Sequence, residues 1–324
     1  MLATTTRTES IAHLGETALI EKIKSWLGAV NPPSPHGVGD DCAVSDPIAE
    51  GLQLTTTDAI NYGYHFDDTM TPVAVGAKLI KRNVSDIAAM GGTPKSAVLA
   101  LLCSSDVSIE WLKDFFLGIK HTCEHYSISL VGGDISTLRK TSFSAVLTLN
   151  GYATKPKLRT SSKIGDSIYV TGALGGSILG KHYQFEPRLA EGQWLSTFPQ
   201  CHAMIDLSDG LGKDLKALLP EKTAAHLFLD QIPISNAAKQ LAQTSGLEEL
   251  EHAFCDGEDY ELLFTLSKDT DQAEFEKSWH KNFPDTQLAH IGSIQSTDTG
   301  KKPYLNAHTK AALPWDHGFE HLKT

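Results

Sequence analysis

No run in this chain comes near the roughly 18 uninterrupted apolar residues that a bilayer span requires. Met1 to Ser10 also lacks the apolar stretch of a secretory signal. A cytoplasmic location without a membrane partner is therefore the expectation. Cysteine is scarce and scattered: Cys42, Cys103, Cys123, Cys201 and Cys255 form no C-x-x-C pair and have no nearby His at zinc-ligand spacing. Free thiols in a reducing compartment fit that pattern. Positive charge is in deficit, with 28 Lys and Arg against 39 Asp and Glu and a net charge of −11. No basic run offsets it, which argues against a nucleic-acid partner. The common phosphate-binding and nucleophile signatures are missing too. There is no G-x-x-x-x-G-K-[ST], no H-R-D or D-F-G set and no G-x-S-x-G elbow. Gly172-Ala173-Leu174-Gly175-Gly176 looks superficially like a dinucleotide loop, but it lacks the full spacing and a partner acid, so it reads as a close-packed turn.

What the chain has instead is a series of short segments that set a carboxylate beside Gly, Ser or Thr. These are Gly39-Asp40-Asp41, Thr55-Thr56-Thr57-Asp58, Asn83-Val84-Ser85-Asp86, Gly132-Gly133-Asp134, Asp206-Leu207-Ser208-Asp209-Gly210 and Gly257-Glu258-Asp259. Small neighbours let backbone N–H groups approach a polyphosphate, and hard carboxylate oxygens suit Mg²⁺. An acidic protein that binds phosphates needs cations or local donors to do so. Each segment alone is equally what a turn looks like, because Asp bonds its own backbone and Gly tolerates positive φ.

With 324 residues, 41% of them hydrophobic, and 26 glycines, the chain fits an α/β protein, and a prior of roughly 100–200 residues per domain suggests two domains. Helical spacing predicts a helix over residues 16–30, and Thr71-Pro72 caps one that runs to Met90 and puts Asn83 and Asp86 on one face. Strands are expected over 52–56, 97–102, 128–131 (ending at Gly132-Gly133-Asp134) and 142–152, with a Ser108-capped helix between the second and third. Asp58 then falls just past a strand end. The polar, basic stretch 154–163 divides residues 1–153 from 154–324, after which strands and helices alternate again. Ligand groups fall where elements give way to loops, as in α/β folds.

Taken in order, Gly-Val-Gly-Asp-Asp-Cys-Ala (37–43), Thr-Thr-Asp…His-Phe (56–66), Asn-Val-Ser-Asp-Ile-Ala-Ala-Met-Gly (83–91), Val-Gly-Gly-Asp (131–134), Ile-Asp-Leu-Ser-Asp-Gly-Leu (205–211) and Gly-Glu-Asp-Tyr-Glu-Leu (257–262) resemble the thiamine-monophosphate kinase family, across nearly the whole chain. That family shares a superfamily with aminoimidazole ribonucleotide synthetase and selenophosphate synthetase. The resemblance implies a two-domain aminoimidazole ribonucleotide synthetase-like fold of α+β type, with an N-terminal metal-, nucleotide-binding and dimerisation domain and a C-terminal domain that completes the site. It implies transfer of the ATP γ-phosphate to thiamine monophosphate, several Mg²⁺ ions and a homodimer. Carried over by position, Asp41, Thr56, Thr57, Asp58, Asp86, Asp134, Asp206 and Asp209 would be metal-linked. Gly133, Asp134, Arg159 and Ser208 would meet ATP, and His65, Glu258 and Phe319 would meet thiamine monophosphate. No residue is required as general base, because a phosphate monoester is already largely an anion at neutral pH.

Plainer readings stand beside each residue. Asp58 could be an ordinary loop acid, and Ser208 and Asp209 could be helix caps. Arg159 could be a solvated charge, His65 a core or surface histidine, and Phe319 an anchor for the tail. Asp86 is the most telling, since it lies among Val84, Ile87, Ala88 and Met90, where a buried unpaired carboxylate would be costly. Residues 186–199 keep only part of the family's basic, Pro-containing segment, and Asp256 stands where a small residue is more usual. Another synthetase of the superfamily and a non-catalytic Mg-nucleotide scaffold are the competing readings.

Overall fold

The computed structural model describes residues 1–33, 36–38, 42, 44–45, 47, 51–139, 142–297 and 302–320. The chain divides into two compact units, Met1–Ile87 with Gly92–Thr154, and Ala88–Gly91 with Lys155–Thr324. Each holds helices and one mixed sheet, an α+β architecture.

In the first unit, helix α1 (Glu16–Leu27) precedes strand β1 (Leu52–Asn61), helix α2 (Pro72–Ala89), strand β2 (Thr93–Ser104), helix α3 (Ile109–His125), strand β3 (Ser129–Leu138) and strand β4 (Phe143–Ala153). The sheet order is β1-β4-β2-β3. Strands β2 and β3 are parallel across the α3 crossover, while β4 runs antiparallel to both its neighbours. One sheet face, with Ile60, Leu99, Leu101, Ala145 and Leu147, is buried together with Leu79, Ile80, Val84, Phe115 and Phe116 of the helices. Helices α2 and α3 cross at glycines. A Cβ on Gly76 would lie 2.1 Å from the Phe115 carbonyl oxygen, and one on Gly118 would lie 2.0 Å from that of Val73.

Two strands run further than their sequence pattern predicts. β1 continues to Asn61 because β4 pairs with it along its whole length, from Leu52↔Ala153 to Asn61↔Ser144, so Asp58 lies within the strand rather than in a loop. β3 passes through Gly132-Gly133-Asp134 to Leu138, held by β2. Ladder hydrogen bonds to a neighbouring strand override the weak β preference of Gly and Asp.

The second unit carries strand β5 (Ser167–Thr171), helices α4 (Lys181–Gln184) and α5 (Leu189–Ser196), strand β6 (Cys201–Asp206), helix α6 (Leu211–Asp214), strand β7 (Thr223–Leu227), helices α7 (Asn236–Ser245) and α8 (Glu249–Cys255), strand β8 (Leu262–Leu266), helix α9 (Gln272–Asn282), strand β9 (Leu288–Ser296) and strand β10 (Tyr304–Asn306). The sheet order is β10-β7-β9-β5-β8-β6. One buried cluster includes Ile168, Val170, Leu211, Leu215, Phe254 and Leu263. Another gathers Tyr169, Leu195, Met204, Phe264, Phe275 and Trp279. Because β8 is antiparallel to both β5 and β6, the loops after β5, after β6 and before β8 come to the same end of the sheet.

Candidate active site

In the first unit the polar residues meet along α2. Lys78, Arg82 and Asp86 stand at i, i+4 and i+8, one face of the helix. The fully buried Lys78 donates from Nζ to the His65 carbonyl at 3.0 Å. Arg82 donates to the Ala59 carbonyl at 2.7 Å and to Asp58 Oδ1 at 3.2 Å. Asp86 accepts a short hydrogen bond from Thr56 Oγ1. Thr56 and Asp58 therefore share the helix-facing side of β1. Thr57 points the other way, as strand alternation requires, and donates to the Leu147 carbonyl at 3.0 Å. His65 accepts the Asn61 N–H at Nδ1, 3.1 Å away.

On β3, a Cβ at Gly133 would lie 2.0 Å from the Leu99 carbonyl oxygen, so the close β2–β3 pairing alone demands glycine there. Asp134 is exposed and accepts from Ser136 Oγ at 2.8 Å. Beside it opens a cavity of about 170 Å³ whose walls include Ile20, Ile23, Phe116, Leu130, Gly133 and Asp134. Asp41 lies outside the described residues.

In the second unit three loops interlock: 172–177 after β5, 207–210 after β6 and 256–261 before β8. Asp206 ends β6, buried, and the Ser208 carbonyl accepts the Glu258 N–H at 2.8 Å. Leu207 accepts from the Tyr260 N–H and donates to the Glu261 carbonyl, each at 2.8 Å. The Asp209 carbonyl accepts the Phe319 N–H at 2.9 Å, and Lys213 Nζ, paired with the Asp209 carboxylate at 2.5 Å, donates to the Phe319 carbonyl at 2.9 Å. Asp206, Ser208, Asp209, Glu258 and the half-exposed Phe319 are thus brought together. Arg159 is exposed on a separate 3-10 turn, Arg159–Ser161.

The donors in both units are hard oxygens, the chemistry Mg²⁺ selects. Among the described residues no three His, Cys, Asp or Glu side chains converge as a metal cage. A cage is not what Mg²⁺ needs when substrate phosphates supply further ligands, since one or two carboxylates then suffice. Carboxylate crowding in the second unit also favours a cation. Burial, reinforced by the neighbouring Asp206 and Asp209, pushes the Asp214 carboxyl up to about 8, although the N–H groups of Asp209 and Gly210 oppose the shift from 2.9 and 3.1 Å. The residues present fit the metal.

Residues 39–154 match the family model for AIR synthase related protein, N-terminal domain. A thiamine-monophosphate kinase from Rhodopirellula baltica is 39% identical over 302 residues, covering 90% of this chain and 93% of that protein. The chain belongs to the thiamine-monophosphate kinase family. A thiamine-monophosphate kinase from Aquifex aeolicus is 33% identical over 326 residues, covering 95% and 99% of the two chains. The solved structure of AaThiL complexed with AMPPCP and TMP superposes with a TM-score of 0.69 at 28% identity, over 92% of this chain and 95% of that one.

For this member of the thiamine-monophosphate kinase family, the sequence reading passed over several residues that the site geometry brings forward. Lys78 and Arg82 carried a signal, a four-residue period that ends on Asp86. Asp214 carried only its i+5 distance from Asp209. Asp256, already set apart in the sequence, accepts the Gly176 N–H at 2.7 Å and contacts His252 Nδ1 at 3.0 Å. Lys181 carried no local signal and Arg188 only its place in the 186–199 segment, because their partner Glu261 is more than 70 residues away. Arg188 grips Glu261 from Nε and Nη2 at 2.6 and 2.9 Å, and Lys181 Nζ reaches the same carboxylate at 2.8 Å. Burial alone would raise the Glu261 pKa, but these two cations hold it below the usual range. The same loop has two non-glycine residues at positive φ, Glu258 at 54° and Tyr260 at 51°, each costing about 1–2 kcal/mol.

Proposed function

We propose that the chain transfers the γ-phosphate of ATP to thiamine monophosphate, giving thiamine diphosphate and ADP. Family membership supports the reaction. Within the structure, the observation that carries it is the tie of Glu258 and Phe319 to the Ser208–Asp209 loop, which sets two candidate acceptor contacts beside two candidate metal and nucleotide contacts. In the first unit His65 is the candidate acceptor contact. Gly133 and Asp134, beside an apolar-walled cavity, are its candidate ATP contacts. In the second unit the candidate ATP contacts are Arg159 and Ser208.

The acceptor oxygen needs no strong base, since the second pKa of a phosphate monoester lies near 6. What opposes the transfer is repulsion between two anions, so the chain's task is positioning and charge screening. Backbone N–H groups and Arg159 would grip phosphate oxygens, Arg159 with its two-pronged guanidinium. When bound, Mg²⁺ would neutralise phosphate charge, held by Asp41, Thr56, Thr57, Asp58, Asp86 and Asp134 of the first unit and Asp206 and Asp209 of the second. The five free cysteines suit a reducing compartment, so the reaction is assigned to the cytoplasm. The proposal includes a homodimer through the first unit.

Coupled measurement of ADP release tests the reading. Turnover is expected with thiamine monophosphate and not with the aminoimidazole-synthetase substrate or without an acceptor. Turnover only with the second substrate, or nucleotide binding without any turnover, rejects it.

A further inference from the structure

We propose that Lys181, Phe185 and Arg188 form one positioning element that fixes the carboxylate of Glu258, and so sets the affinity for the phosphate acceptor. The inference rests on the acceptor role of Glu258 given above. Within eight residues of chain, three side chains meet three consecutive residues of the Glu258 loop. Lys181 Nζ lies 3.9 Å from Asp259 Oδ1 and 2.8 Å from Glu261 Oε1. The Phe185 ring stacks on Tyr260, with centroids 3.8 Å apart and planes 17° apart. Arg188 holds both oxygens of Glu261. The Tyr260 hydroxyl in turn donates to Glu258 Oε1 at 3.2 Å, so the stacked ring aims the carboxylate.

The loop needs such a clamp. A bulky aromatic residue at φ 51° is an outlier that persists only when its surroundings over-determine it. The far side of the loop is fastened as well. The Gly175 N–H donates to Asp259 Oδ1 at 2.9 Å, the Gly176 N–H to Asp256 Oδ2 at 2.7 Å, and Ser177 Oγ to the Gly257 carbonyl at 2.6 Å. Gly172 leaves the space that the Glu261 carboxylate fills, since a Cβ there would lie 2.0 Å from Glu261 Oε1. The Gly172–Gly176 segment, a dinucleotide-loop lookalike in sequence, is thus the floor of this clamp. A planar guanidinium bound at two points to a buried carboxylate fixes orientation in a way an ammonium cannot.

The test is steady-state kinetics of Arg188→Met, Arg188→Lys, Tyr260→Phe and Glu258→Gln, with hydrogen exchange of the 257–261 amides as a readout independent of turnover. Arg188→Met is expected to raise the KM for thiamine monophosphate about ten-fold, to change the KM for ATP less than about two-fold and to speed amide exchange in the loop. Arg188→Lys is expected to restore part of the affinity. Adding Arg188→Met to Glu258→Gln should have little further effect, because both act through one carboxylate. Tyr260→Phe keeps the stacked ring and removes one hydroxyl, so it carries the test if Arg188→Met fails to fold, with a smaller rise confined to the acceptor KM. Equal rises in both KM values, full additivity with Glu258→Gln, or unchanged acceptor KM in a folded variant would overturn the proposal. Absence of thiamine-monophosphate-dependent ADP release from the unmodified protein rejects the function reading instead, whatever the exchange data show.

Discussion

At Asp86, Thr56 answers the question that the sequence raises. The side chain leaves a helix whose neighbours Val84, Ile87 and Ala88 are buried, and it reaches the Thr56 hydroxyl on β1. A half-buried carboxylate that faces β1 in this way offers hard oxygen of the kind a cation such as Mg²⁺ selects. Asp86→Asn keeps the shape and the hydrogen bond while removing the charge. It is expected to abolish turnover and flatten the Mg²⁺ dependence with an unchanged thermal transition, as is Asp134→Asn on β3. Near-normal rates in both variants would remove them from the metal set. Asp86 was legible because a carboxylate in an apolar helix is costly without a partner. Arg82 and Lys78 were less so, since a Lys or Arg on a helix ordinarily serves as solvated charge, and only the fold turns their face toward β1. Thr57 was legible as part of a motif but not in direction. Which of Thr56 and Thr57 faces the helices depends on the register of β1 against β4, and that register is a long-range property.

Among elements, the long amphipathic helices and the Ser108 cap were readable, because capping and 3.6-residue periodicity are local. Helix α8 was not, being seven residues of mixed character whose ends are set by contacts. The three interlocked loops of the second unit were readable as motifs but not as one structure, since their ties span 50 to 85 positions. Their packing buries Asp259 completely, with Oδ1 on the Gly175 N–H and Oδ2 without a hydrogen-bond partner among the described residues. Burial pushes its carboxyl up to about 7, with Glu261 and Asp256 adding to the rise and Lys181 and the Gly175 N–H opposing it. Between the ordinary carboxylate value and about pH 7, the folded unit keeps a proton that the unfolded chain has released. The contribution of this group to stability therefore falls as pH rises through that window and levels off above it. Thermal melts from pH 4 to 8 should show this decline added to the like-signed one of Asp214, whose carboxyl is pushed up to about 8, and Asp259→Asn should reduce the slope below pH 7 without removing it. An unchanged slope in the variant would assign the titration to another group.

For the whole molecule, the proposed homodimer is a question about the first unit's sheet. Among the described residues strands β1 and β3 are its edges, and natural sheets rarely leave an edge open. The face turned from the helices carries Val98, Ala100, Leu102 and Val146 beside Thr55, Thr57, Thr148 and Asn150, all but the exposed Thr55 and Thr57 half-buried in the single chain. The polar members already satisfy one another in part: Thr55 Oγ1 donates to Asn150 Oδ1 at 2.8 Å and Thr148 Oγ1 to Thr57 Oγ1 at 3.2 Å. Covering such a face therefore strands few donors and removes apolar surface from water, the combination that a self-complementary two-fold contact requires. Sedimentation equilibrium at micromolar concentration is expected to give twice the 35.1 kDa chain mass. Val146→Asp, at the centre of the face on β4, is expected to shift the equilibrium to the monomer while circular dichroism stays unchanged, because the new carboxylate is solvated in the monomer and desolvated in the dimer. A monomeric unmodified protein would rule out the assembly. A dimer that Val146→Asp leaves intact would move the interface away from this face.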